Sequence, residues 1–183
     1  MAVLRRTLPL AAALASVLWA REARSQDQRF GETEVKAVFL LNFARFVEWP
    51  PEVFSDAAAP VMIGVLGNDP FGDILDKAVE GETLGGRSFS VNRFRSLKEI
   101  KPCHVLYVSS SGKKDLSRIL ERLKNAKVLT VGETERFTKM GGMIGFLLEE
   151  NKVRFEINQN VAEQAGLKIS SRLLRLAKGS RTR

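Results

Sequence analysis

Between residues 61 and 132, strand-length apolar runs alternate with helical patterns, and that alternation admits few folds. "VMIGVLG" (61–67), "CHVLYVS" (103–109) and "KVLTVG" (127–132) are nearly continuous apolar runs. Strands of that kind are buried on both faces, as in a parallel sheet covered by helices. "RSFSVNRF" (87–94) alternates as a half-buried strand does. Between these runs, "NDPFGDILDKAVEG" reads as a helix with Asp69 as N-cap and Pro70 at its first position. "SLKEIK" reads as a short helix or turn. "KKDLSRILERLKN" is a helix that sets Leu116, Ile119, Leu120 and Leu123 on one face, and "ETERFTKMG" a short helix closed by Gly141. The pattern changes near Gly142, where "MIGFLLEENKVRFEIN" reads as two strands joined at Glu150-Asn151. Two helices follow, "QNVAEQAG" and, after an extended "LKI", "SSRLLRLAKG" capped by Ser170 or Ser171. The expected fold is α/β: a single three-layer domain, a mixed β-sheet flanked by helices, with a C-terminal antiparallel hairpin.

The stretch "KAVFLLNFARFVEWPPE" (36–52) carries more apolar surface than a helix needs to cover a sheet. Read as a helix from Glu32 to Glu48, it places Asn42, Arg45 and Glu48 on one stripe and Phe39, Leu40, Phe43, Phe46 and Val47 over the opposite half. Pro50 and Pro51 end it. Phe39 and Phe43 suit the core. Phe46 and Trp49, beside the proline stop, are candidate contacts for a second chain, since aromatics at element ends suit binding hot spots.

Ahead of this helix, Arg5 and Arg6 precede an apolar run from Leu8 to Ala20 and a polar junction. This is the layout of a secretory signal, with small residues one and three places before a cut after Ser25. Residues 1–25 are therefore expected to be a signal peptide and 26–183 the folded domain. The apolar run is shorter than the roughly 20 residues a bilayer span needs. The protein is expected to be exported, with the export route open.

Charge is concentrated at one end. The chain carries a net +8; without residues 1–25 there are 25 basic and 20 acidic residues, a net +5. Lys168, Arg172, Arg175, Lys178, Arg181 and Arg183 have no acid among them, which leaves residues 26–167 at −1. Nucleic-acid binders spread basic charge along a face that follows the phosphates, so that class is disfavoured. An acidic patch on a protein partner or an anionic lipid surface suits such a tail better. Arg172 and Arg175, three apart on the last helix, are the candidate partner-contact pair there, with Leu173, Leu174 and Leu176 expected to dock that helix.

Residues able to do chemistry are few. Cys103 is the only cysteine, which precludes an intrachain disulfide, and with His104 the only histidine the chain lacks a spaced set of soft zinc ligands. Cys103 reads as a small buried apolar residue and His104 as a structural one at a strand start. The loop "GNDPFG" (67–72) matches neither the dinucleotide nor the phosphate-loop fingerprint. Glu149-Glu150 and Glu133-Glu135 both fall beside turns. No catalytic, cofactor-binding or metal-binding residue is assigned.

Taken together, "VKAVFLLNFARFVEWP" (35–50), "VLGNDPFG" (65–72), "CHVLYVS", "VLTVGE" (128–133) and "GGMIGFLLEENKVRFEIN" (141–158), running into "AGLKISSRLLRLAK" (165–178), resemble the YfiR family of periplasmic proteins. The resemblance covers nearly all of the chain after residue 25, and the glycine pair with the hairpin is its most specific part. It implies a non-enzymatic regulator that binds the periplasmic sensor domain of a membrane-bound diguanylate cyclase and represses it, lowering cyclic-di-GMP and biofilm formation. It further implies an outer-membrane lipoprotein as a second partner and association as a homodimer. Two alternatives stay open: a periplasmic small-ligand sensor, and an enzyme on the same α/β scaffold.

Overall fold

The computed structural model describes residues 31–179; the expected signal peptide lies outside them. Helix α1 (31–45) leads into a two-residue strand, β1 (Val47–Glu48). The alternating section supplies β2 (Val61–Leu66), α2 (Asp73–Val79), β3 (Thr83–Leu84), β4 (Arg87–Phe94), β5 (Val105–Val108), α3 (Leu116–Leu123) and β6 (Leu129–Gly132). The hairpin is β7 (Ile144–Glu149) and β8 (Lys152–Ile157), followed by α4 (Gln159–Gln164), β9 (Lys168–Ile169) and α5 (Ser171–Leu176).

Seven strands form one mixed sheet in the order β3-β4-β2-β5-β6-β7-β8. β4, β2, β5, β6 and β7 run parallel, while β3 and β8 are antiparallel to their neighbours. The continuous apolar runs are buried on both faces because helices cover both. Val61, Ile63, Val65, Val105, Tyr107, Leu129 and Val131 join the core shared with α1, α2, α4 and α5. Leu66, Leu106 and Val108 point the other way, into the core under α3, where Leu116, Ile119, Leu120 and Leu123 are all buried as their spacing requires. The expected three layers are thus present.

The apolar arc of α1 is spent mainly on this core. Ala37, Leu40, Phe43 and Ala44 are fully buried. Phe43 meets Phe155 edge-on at 5.0 Å and Phe146 at 5.6 Å, and Phe39 meets Phe155 at 5.3 Å. Such ring pairs add about 0.5–1.5 kcal/mol each beyond area burial. Val35 and Val38 remain exposed on the outer stripe.

The structure corrects several local expectations. The first helix ends at residue 45, so Val47 and Glu48 are strand residues, paired antiparallel with Ile169 and Lys168 in a separate small sheet. The helix after β2 begins at Asp73, with Gly72 at its N-cap; Asp69 instead accepts the Phe71 amide through Oδ1 at 2.8 Å and so closes a turn ahead of the helix. "ETERFTKMG" is a run of turns with Arg136 at φ 63°, closed by Gly141 at φ 103°. The glycine pair has a packing reason. A Cβ on Gly142 would collide with the Phe137 ring, which also lies against Gly132. The hairpin turn falls at Glu150-Asn151 as expected, at φ 49° and 60°, the left-handed pair of a type I′ turn.

Candidate partner-binding face

The four residues singled out as partner contacts lie on two distant stretches of chain, and the β1–β9 sheet brings those stretches together. Phe46 and Trp49 flank β1; Arg172 and Arg175 lie on α5, directly after β9. Beyond the register Val47↔Ile169 and Glu48↔Lys168, the Ser170 amide donates to the Phe46 carbonyl at 2.8 Å. Ser170 is also the N-cap of α5: its Oγ accepts the Arg172 amide at 3.3 Å, which satisfies one of the helix's otherwise unpaired amides. A groove of ≈ 620 Å³ runs beside this sheet, walled by Glu48, Glu163, Lys168, Ser171 and Leu174. The Lys168 ammonium bonds Glu48 at 2.9 Å across its exposed rim.

These four side chains play unequal parts. Arg172 and Arg175 are exposed and have no ion pair among the described residues. Phe46 is half-buried against the core. Trp49 is half-buried too, and its Nε1–H donates to the Ala44 carbonyl at 2.8 Å, which would otherwise be orphaned at the C-terminus of α1. Its ring also meets His104 edge-on at 5.5 Å. Trp49 therefore ties the chain down at this point and offers a partner only its outer edge. The docking expectation for α5 needs correction: Leu173 is buried and Leu174 partly so, but Leu176 is 65% exposed. Leu176 is the last residue of the helix, and the chain turns extended at Ala177, at ψ 143°.

The residues weighed for chemistry are held in structural roles. His104 braces the starts of three strands: its Nδ1 accepts the Met62 amide at 2.9 Å, its own amide donates to Met62 O, and its carbonyl accepts the Leu129 amide. Phe54 stacks on its ring at 4.5 Å. Burial, then the Arg87 charge, hold the imidazole below its ordinary value; the nearby Val53 carbonyl acts in the opposite direction without making a hydrogen bond of normal geometry with Nε2. The Cys103 thiol is pushed up to about 12 by burial, on the opposite side of the sheet among Leu106 and Phe94. The loop at 67–72 is locked by Arg93, whose Nε donates to Asp69 at 2.6 Å while its other nitrogens bond Gly72 O and Asp76. No group of three or more His, Cys, Asp or Glu able to hold a metal occurs among the described residues.

Sequence reasoning missed a half-buried ion-pair cluster. Glu133 was expected in a solvated turn, but its Oε2 accepts from the Lys36 ammonium of α1 at 2.7 Å, and Glu32 bonds the same nitrogen at 2.5 Å. Burial alone would lower the Lys36 pKa; the two carboxylates more than offset it, and the net shift is upward. No local pattern links residues 97 positions apart. Glu149, likewise, pairs with Lys178.

A crystal structure of a conserved domain protein from Vibrio cholerae O1 biovar El Tor is similar at a TM-score of 0.50 and 13% identity, over 64% of this chain. The match spans 54% of that protein's length, and at this identity it shows the fold alone. No helix among the described residues is long and apolar enough to cross a membrane. A YfiR/HmsC-like family profile matches residues 33–178, from α1 through the last turn after α5. The chain accordingly belongs to the YfiR/HmsC-like family, regulators of cyclic-di-GMP signalling that act in the periplasm.

Proposed function

We propose that this protein is exported, loses residues 1–25, and represses a membrane-bound diguanylate cyclase by binding its periplasmic sensor domain through the β1–β9 sheet and α5. The observation that carries the reading is the Ser170–Phe46 hydrogen bond at 2.8 Å, which joins an aromatic segment to a basic helix with unpaired arginines. Aromatic anchors supply binding energy, and exposed charges steer encounter. Repression requires no bond-making, in keeping with a chain whose single histidine and cysteine are held in the fold. An outer-membrane lipoprotein that competes for the same face would relieve the restraint. Self-association as a homodimer fits α1, whose Val35 and Val38 are 43% and 50% exposed. Co-purification of the protein with the sensor domain, repeated with Arg172→Glu/Arg175→Glu, tests the reading; equal recovery of both forms would remove this face from it.

A second reading, a small-ligand sensor, is favoured by one observation. An apolar cleft of ≈ 530 Å³ lies at the amino-terminal ends of β2, β5 and β6, lined by Phe54, Met62, Pro102, His104 and Val128. Ligand binding there would raise the melting temperature.

A further inference from the structure

The main sheet is open along most of its β4 edge. β3 pairs with β4 only at Thr83↔Ser88 and Leu84↔Arg87. From Phe89 to Phe94, β4 has no strand on its outer side among the described residues. The Phe94 carbonyl accepts the Gly67 amide at 2.9 Å and so points toward β2. By the alternation of a strand, Phe89, Val91 and Arg93 turn their amides and carbonyls outward. The opposite edge is treated differently: the Lys178 amide donates to the Phe155 carbonyl at 2.8 Å, so chain beyond α5 occupies part of the outer side of β8. Unpaired edges invite pairing with another chain and are usually covered.

Beside the open edge runs a groove of ≈ 650 Å³ between α2 and β4. Val79, Phe89 and Val91 give it an apolar floor, and Asp73, Asp76, Lys77 and Glu80 line its helical wall at spacings of three and four. Asp76 is bonded by Arg93 and Glu82 by Arg45, but Asp73 and Glu80 have no ion pair among the described residues, so the wall is net negative.

We propose that this edge is a docking site for an extended basic peptide segment of a partner protein, which adds a strand to β4 alongside α2. Main-chain hydrogen bonds to Phe89, Val91 and Arg93 would hold it, apolar side chains on one side would meet the groove floor, and basic ones would meet Asp73 and Glu80. The surface shares no residue with the β1–β9–α5 face and does not depend on that reading.

Fluorescence anisotropy with the full protein and a labelled alternating Lys-Val hexapeptide tests this. Two further peptides, N-methylated on the odd or on the even amides, separate backbone pairing from charge attraction. One methylated peptide should bind at least about tenfold more weakly than its counterpart, because only one phase of amides faces β4. Val91→Pro removes an outward amide while leaving the pairing with β2, and should weaken the unmethylated peptide by a similar factor; Asp73→Lys/Glu80→Lys should weaken it in a salt-dependent way. The two methylated peptides keep the test open if the proline variant fails to fold. Equal binding of both methylated forms, no binding at millimolar peptide, or pairing of two copies through this edge in sedimentation would each overturn the proposal.

Discussion

The Ser170 amide donates to the Phe46 carbonyl at 2.8 Å, and that contact sets the end of the first helix beside the start of the last. It extends a ladder of only two residues per strand, so the placement of α5 rests on few bonds. Removing the Ser170 side chain takes away the N-cap but leaves the amide bond to Phe46. Ser170→Ala should therefore cost about 1 kcal/mol in urea unfolding, with the fold retained. No loss of stability would mean that the Oγ contact with Arg172 contributes nothing.

Trp49 separates a structural from a binding role. Trp49→Phe keeps an aromatic ring and loses the Nε1 bond to Ala44 O. It should lower stability by about 1 kcal/mol. Trp49→Asp loses the packing against His104 as well, and should destabilise well beyond that. Denaturant midpoints of the two variants decide the point; equal midpoints would leave Trp49 as surface.

The Gly141-Gly142 pair predicts a packing failure. In Gly142→Ala the new methyl must displace the Phe137 ring, itself 1% exposed and walled by Gly132. Overpacking of this kind typically costs about 1–3 kcal/mol, and thermal unfolding should show it. Gly141→Ala would suffer for a different reason, the left-handed φ of 103°.

His104 should couple stability to pH. The unfolded ring takes up a proton near pH 6.5, and the folded ring only at lower pH, so within that window the unfolded state binds more protons. The contribution is complete above about pH 6.5 and is lost as pH falls toward the folded value. The melting-temperature gap between wild type and His104→Gln should narrow over this range. A gap that widens would mean the folded ring gains rather than resists the proton.

Cys103 should be inert in the native state. A thiol 8% exposed and pushed up to about 12 is almost entirely protonated at neutral pH. Alkylation should proceed only in denaturant; native labelling would show that the strand start around Cys103 opens.

The legible parts of the fold were those encoded locally. β2, β4, β5, β6 and the hairpin follow from apolar periodicity, and the Glu150-Asn151 turn from residues that tolerate positive φ. What was missed depends on partners far along the chain. Arg93 reaches back to Asp69 and Asp76, so the turn before α2 is held from β4 and not by a helix cap. Val47 and Glu48 continue a helical pattern, yet become a strand because β9 supplies their partners. At the candidate face, the aromatic and basic character of the two segments could be read from the sequence; their adjacency, and the inward anchoring of Trp49, could not.

The central claim is that the β1–β9–α5 face restrains a membrane cyclase, and the direct measurement is cyclic-di-GMP in cells that carry Arg172→Glu/Arg175→Glu in place of the wild-type protein. Both arginines are exposed, so the change should alter stability by only about 0.5 kcal/mol. With the variant exported at normal levels and melting as the wild type does, the account predicts raised cyclic-di-GMP, through lost charge steering toward the sensor domain. Cyclic-di-GMP held at the wild-type level by a folded, normally exported variant would contradict it.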